Sequence, residues 1–201
     1  MNRVGIYSGT FDPVHVGHIE FALAALQQCA LDYVVFLIES IPRKKSDVTK
    51  VIDRQAMLTL AIRSNPKLRI AQLNDERFSV RGTLPKLQSL YENSELVFLM
   101  GSDLVHTFTY RWSGLEVLLR SVELVIGLRG SDTNQGIVGI LRTVADECKV
   151  TPKYSILDSP RVQLASTHVR QGSHNISDVS PEVANYILAN RLYDGSSPEN
   201  V

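Results

Sequence analysis

The sequence predicts an α/β fold: a doubly wound parallel sheet with helices on both faces, forming a single domain. Apolar runs and helical patterns alternate along nearly the whole chain, which is the signature of strand-helix-strand units with right-handed crossovers. Two of the runs, Tyr33 to Ile38 and Leu96 to Met100, are uninterrupted, as expected of strands covered on both faces. A length of 201 residues suits one sizeable core.

Val4, Ile6 and Tyr7 mark the first strand, and Phe21, Leu23, Ala24, Ala25 and Leu26 follow at helical spacing. After the Tyr33 to Ile38 strand, Met57, Leu58, Leu60, Ala61 and Ile62 mark a second helix, and Leu68 to Leu73 reads as a strand. Leu84, Leu87, Leu90 and Tyr91 mark a third helix before the Leu96 to Met100 strand. A short helix is expected from about Trp112 to Arg120, then a strand from Val122 to Gly127. Gly130 to Gly136 is rich in Gly, Ser, Asp and Asn and reads as a loop, followed by a helix ending near Cys148 and a strand over Tyr154 to Leu157. Ser180-Pro181-Glu182 has a capping serine and a proline at the first helical position, opening a last helix through Tyr186. The domain is expected over residues 1–195, with 196–201 a flexible tail.

Composition excludes several classes. Apolar residues make up 44% and charged residues 21%, ordinary for a globular chain. No run approaches the ~20 apolar residues of a membrane span. Basic and acidic side chains number 21 each, so the electrostatic footprint of a general nucleic-acid binder is missing. Met1-Asn2-Arg3-Val4 runs into the first strand without a signal-peptide pattern, and the two cysteines, Cys29 and Cys148, form no disulfide framework; both point to the cytoplasm. Monomer and homo-oligomer stay open.

Chemistry concentrates in the turn Gly9-Thr10-Phe11-Asp12-Pro13-Val14-His15-Val16-Gly17-His18. It lies between a strand and a helix, where exposed backbone N–H groups and the helix dipole favour an anion. Gly9 lets backbone pass close to a ligand, Pro13 fixes the turn, and Gly17 leaves room beside the helix start. His15 and His18, three apart, would share one helical face and reach the same phosphate chain, each donating two hydrogen bonds when protonated. A pair of structural histidines is the plain alternative. Zinc is disfavoured, because neither cysteine stands at ligand spacing from the histidines. No metal site is expected.

A second cluster, Ser166-Thr167-His168-Val169-Arg170, puts two hydroxyls and a guanidinium over one turn. The hydroxyls can cap a helix and still meet a phosphate, which Arg170 can grip with parallel hydrogen bonds; a capped helix with a solvated arginine is the plain alternative. Asp103, after the Leu99-Met100-Gly101-Ser102 stretch, either accepts from a ribose at a strand's carboxyl end or caps a helix.

The turn, written GxFxPxHxGH, resembles the signature of the HxGH nucleotidyltransferase superfamily, and in particular of the bacterial nicotinate-nucleotide adenylyltransferases. The likeness extends over most of the chain: Ala165 to Arg170 is similar to the family's SxTxIR-like motif, and Val179 to Ile187 with Leu192-Tyr193 is similar to its closing helix. It implies a Rossmann-like fold and adenylyl transfer from MgATP to nicotinate mononucleotide, or nicotinamide mononucleotide, in NAD biosynthesis. It implies His15, His18, Lys44 and Arg170 as catalytic, and Gly9, Thr10, Phe11, Gly17, Ser166 and Thr167 as the ATP site. Lys44 comes from the basic loop Ile41-Pro42-Arg43-Lys44-Lys45, where Lys45 competes for the role. Ser79, Asp103, Trp112 and Arg129 are implied on the acceptor side. Mg²⁺ is expected as a cofactor held mainly by ATP.

The departures lie on the acceptor side. The family's Tyr-Thr pair is Phe78-Ser79 here, followed by an apparent extra residue at Arg81-Gly82, and its pyridine-stacking tryptophan falls at Phe108 or Thr109. Other acceptors on the same fold, phosphopantetheine or a cytidylyl-transfer substrate, are the nearest rivals, and a non-catalytic nucleotide sensor is the rival of another class. The absence of an RTxGISTT-type ending opposes cytidylyl transfer, and the Arg111-Trp112 region opposes the shorter phosphopantetheine enzymes.

Overall fold

In a computed structural model, residues 1–41, 48–71, 73, 75–157 and 178–193 are described. In chain order the elements are β1 (Asn2–Gly9), α1 (Val16–Gln28), β2 (Tyr33–Ile38), α2 (Val51–Ile62), β3 (Leu68–Ile70), α3 (Thr83–Leu90) and β4 (Ser94–Gly101). They continue with α4 (Ser102–His106), a 3₁₀ turn (Thr107–Tyr110), α5 (Leu115–Ser121), β5 (Glu123–Gly127), α6 (Asn134–Cys148), β6 (Lys153–Leu157) and α7 (Pro181–Ala189).

The six strands form one sheet in the order β3-β2-β1-β4-β5-β6, and every neighbouring pair is parallel. The apolar runs are continuous because each strand feeds two cores. Side chains alternate across a strand: Val34 and Phe36 of β2 and Val97 and Leu99 of β4 enter one core, with Phe21, Met57, Leu58 and Val183. Val35 and Leu37, and Leu96, Phe98 and Met100, enter the other, with Leu84, Leu118 and Leu141. Hence α1, α2 and α7 cover one face, and α3, α5 and α6 the other.

Strand order reverses between β1 and β4, the neighbours at the centre of the sheet. In doubly wound sheets a crevice opens there, beyond the carboxyl ends of the strands. The register brings Tyr7 of β1 beside Leu99 of β4, so β1 and β4 both end, at Gly9 and Gly101, on the rim of that crevice.

Some boundaries differ from the sequence expectation. Of the strand expected over 68–73, Leu68–Ile70 forms the strand β3. The helix expected from Trp112 starts at Leu115, because Gly114 adopts φ 82° and turns the chain just before it. The two short turns over Ser102–Tyr110 were not anticipated; pieces of five and four residues carry too few positions to show a helical period. The glycine-rich segment before α6 is shorter than expected, since Thr133 caps the helix by accepting from Gly136 N. Ser180 caps α7, accepting from Val183 N at 3.3 Å. Among the described residues no helix is long and apolar enough to cross a membrane.

Candidate active site

The turn after β1 is held by its own aromatic residue. Phe11 takes φ 49°, a left-handed conformation that is costly for a bulky side chain, and its ring is buried against Tyr7, His18 and Phe36. A Cβ at residue 9 would lie 3.1 Å from that ring, tighter than an ordinary contact, so glycine lets the strand end pass over the ring without displacing it.

His15 closes the turn as the N-cap of α1. Its backbone N–H donates to Nδ1 of His18 at 3.2 Å, which leaves Nε2 as the protonated nitrogen of a neutral His18 ring. The two rings stack, centroids 3.6 Å apart and planes 27° apart. Both side chains are buried; the His15 side chain faces the backbone N–H of His18 in a capping-box arrangement, but at geometry too loose for a hydrogen bond, so neither ring nitrogen of His15 has a hydrogen-bond partner among the described residues. A buried imidazole without partners costs free energy unless something else meets it, and this one stands at the open first turn of α1. A phosphate oxygen is the chemical complement of that position.

Each histidine could donate two hydrogen bonds when protonated, and the surroundings of His15 decide its state. Burial, and after it the nearby Arg129 guanidinium, pulls the His15 pKa down to about 3. At neutral pH His15 is therefore neutral and has one N–H to donate, because it is buried and lies near a cation.

Arg129, just beyond β5, reaches across the end of β4. Its backbone N–H donates to Ser102 Oγ at 2.9 Å, and its Nε lies 3.5 Å from Asp103 Oδ1. A Cβ on Gly101 would meet both the Asp103 carboxylate and that Nε, so glycine at the end of β4 leaves room for the Asp103–Arg129 pair as it stands. Tyr7, buried below, has its pKa pushed up to about 12 by burial, with the Arg129 charge acting in the opposite sense. Asp103 does not cap α4; Gly101 occupies that position, and the Asp103 carboxylate pairs with Arg129. One cationic side chain thus serves β1, β4 and β5 at the switch point.

Ser79 and Trp112 are brought together. With Phe78, Val80, Arg81 and Ser113 they line a pocket of about 250 Å³. Ser79 Oγ accepts from Gly82 N at 3.1 Å, and Trp112 Nε1 donates to Thr107 Oγ1 at 3.0 Å. Phe108 is buried edge-on against Trp112, so Trp112, and neither Phe108 nor Thr109, gives this pocket its indole. Lys44, Ser166, Thr167 and Arg170 lie outside the described residues. Among the described residues no group of three His, Cys, Asp or Glu side chains converges as a metal site would require.

The sequence reading did not give Arg54 its role. It is 1% exposed, and its guanidinium donates to the carbonyls of Thr49 (2.8 Å), Thr10 (2.7 Å), Glu39 (2.8 Å) and Ser40 (3.0 Å). It therefore staples the turn after β1 to the loop after β2. Asp12, equally buried, accepts from Tyr193 Oη at 2.6 Å and from Thr49 N at 3.4 Å. The signal for Arg54 was available: Arg54, Met57, Leu58 and Ile62 share the buried face of α2, a helical stripe that carries an arginine where an apolar residue belongs. Asp12 and Tyr193 are too far apart in sequence for any local pattern to join them.

A doubly wound sheet with an imidazole pair at its first helix start and an arginine over its switch point defines a nucleotide-phosphate crevice, the architecture of a nucleotidyltransferase. Comparison with known proteins agrees. The Cytidylyltransferase-like family model matches residues 6–172. The nicotinate-nucleotide adenylyltransferase of Bacillus subtilis is 31% identical over 96% of this chain and 100% of its own length. A probable nicotinate-nucleotide adenylyltransferase of Neisseria meningitidis is 28% identical over 96% of this chain and 100% of its own. The chain belongs to the cytidylyltransferase-like family, and within it to the nicotinate-nucleotide adenylyltransferases. The fold is also that of Plasmodium falciparum nicotinic acid mononucleotide adenylyltransferase complexed with NaAD, with a TM-score of 0.79 at 21% identity, covering 96% of this chain and 98% of that one.

Proposed function

We propose that the chain transfers the adenylyl group of MgATP to the phosphate of nicotinate mononucleotide, forming deamido-NAD and pyrophosphate, in the cytoplasm. The observation that carries this reading is His15: a buried ring whose two nitrogens have no hydrogen-bond partner among the described residues, stacked on His18 at the open end of α1. An acceptor phosphate oxygen attacks the α-phosphorus of ATP and the bond to the β-phosphate oxygen breaks. The acceptor phosphate is already anionic at neutral pH, so no strong base or covalent intermediate is required. The protein's task is alignment and stabilisation of charge on the transferring phosphoryl group.

In this reading His15 and His18 donate to the α- and β-phosphate oxygens, and the turn at Gly9, Thr10, Phe11 and Gly17 cradles them with backbone N–H groups. Ser166, Thr167 and Arg170 hold the β- and γ-phosphates, and Lys44 assists from its loop. Mg²⁺ held by the phosphates of ATP would supply charge neutralisation there. Ser79, Trp112, Asp103 and Arg129 stand on the acceptor side.

Pyrophosphate release is the test, measured with ATP or CTP against nicotinate mononucleotide, nicotinamide mononucleotide and phosphopantetheine. Turnover with ATP and a pyridine mononucleotide is expected, the nicotinate form being favoured. Turnover with CTP alone, or with phosphopantetheine alone, would overturn the assignment.

A further inference from the structure

The pocket lined by Phe78 to Arg81 and Trp112 is assembled from two connecting segments, one leading into α3 and one leading into α5, and neither has a strand ladder to fix its position. Two contacts to one carbonyl place the start of the first: Ile41 N donates to Glu76 O at 3.0 Å, and the Ser40 side chain donates through Oγ to the same oxygen at 3.4 Å. Deeper in, Thr83 Oγ1 at the start of α3 accepts from Ser79 N at 3.0 Å, and a second side chain reaches Phe78 from the β2 side. Glu39 Oε1, just past β2, accepts from Phe78 N at 3.2 Å and from Ser8 Oγ of β1 at 3.3 Å. The main chain of Glu39 is held equally firmly. Its N–H donates to Gly9 O at 2.9 Å, and its carbonyl accepts from Arg54 Nη1 at 2.8 Å, the nitrogen that also holds Thr10 O.

Glu39 is thus bonded on one side to β1 and the phosphate turn and on the other to the first residue of the pocket wall. Among the described residues its carboxylate makes no ion pair; it accepts from a backbone amide and a hydroxyl, the pattern of a strut rather than of a surface charge. We propose that Glu39 is a positioning residue that sets the distance between the phosphate turn and the acceptor pocket, and through it the fit of the acceptor mononucleotide. This rests on reading the Phe78 to Arg81 pocket as the acceptor side. Because a single oxygen receives both donors, a glutamine offering the same carbonyl oxygen can replace it, whereas a side chain without an acceptor cannot.

The experiment compares Glu39→Ala and Glu39→Gln, with Glu39→Met, which keeps volume but no acceptor, carrying the comparison if the alanine variant does not fold. Amide exchange at Phe78 reads the strut directly, and emission from Trp112, the single tryptophan, reads the pocket; neither requires a known substrate. Steady-state kinetics with ATP and nicotinate mononucleotide read the consequence. For Glu39→Ala, Phe78 exchange should quicken, Trp112 emission should shift to the red, and KM for the mononucleotide should rise about tenfold, as loss of a hydrogen-bond acceptor implies. KM for ATP should stay within about twofold. Glu39→Gln should restore all of these. Unaltered Phe78 exchange in the alanine variant, equal rises in both KM values, or a glutamine variant as impaired as alanine would each overturn the proposal. A wild-type protein that turns over no pyridine mononucleotide would instead overturn the functional reading, leaving the exchange and emission results to decide on the strut.

Discussion

His15 and His18 sit one ring above the other, yet their environments give them different work. The His18 ring is locked by the amide it accepts from, so its tautomer is set before any ligand arrives. Replacing it with alanine should lower kcat by about 10²-fold or more, the usual cost of deleting one preorganised donor to a developing charge, with little change in KM for ATP. Steady-state rates at saturating acceptor check this; an unchanged kcat would remove His18 from the transition state. His15 has a second, ligand-free signature. In the unfolded chain it takes a proton near its ordinary value of 6.5, whereas folded it stays neutral down to about 3. Between those values the unfolded state binds more protons, so this residue's contribution is present above pH 6.5 and is lost as pH falls toward 3. A His15→Gln variant, neutral throughout, should show a shallower loss of stability in that window by denaturant titration at stepped pH.

Elements meet at this site through buried side chains rather than through the sheet ladder. Arg54 belongs to α2 but bonds to carbonyls of two loops and of the segment entering its own helix. Removing it as Arg54→Met leaves buried carbonyls unsatisfied and should cost about 3 kcal/mol or more. Arg54→Lys should recover only part of this, because a point charge cannot reproduce a planar fork. Denaturant unfolding measures the stability, and KM for both substrates should rise, since both loops are released. That joint rise separates Arg54 from Glu39, whose loss should act on the acceptor alone. The closing helix is tied in similarly: Tyr186 Oη donates to Asp53 Oδ1 at 2.9 Å, and Arg63 pairs with Glu182 at 3.0 Å. The first helps to seat α7 on α2; the second is an exposed pair of little energetic weight.

For the whole molecule, the alternation of apolar runs and helical patterns determined the α/β class, the single parallel sheet and the position of the phosphate turn, because strand and helix periods are local and each buried strand repeats the same two-sided pattern. The motif from Gly9 to His18 was legible for the same reason: a strand end, a turn and a helix start are contiguous in the chain. The resemblance implied Ser79 and Trp112 as acceptor residues, but their meeting with Phe78 in one pocket was not legible, since they lie on segments far apart in the chain that only the fold brings together. The tertiary structure alone decided that His15 is neutral, that Arg129 crosses the end of β4, and that Arg54, Asp12, Tyr193 and Glu39 bind the site's loops together. Each of these depends on burial or on contact between distant segments. Desolvation and hydrogen-bond pairing are properties of a place in the folded molecule, and residues far apart in sequence acquire that place only when the sheet brings them to the same edge of the crevice.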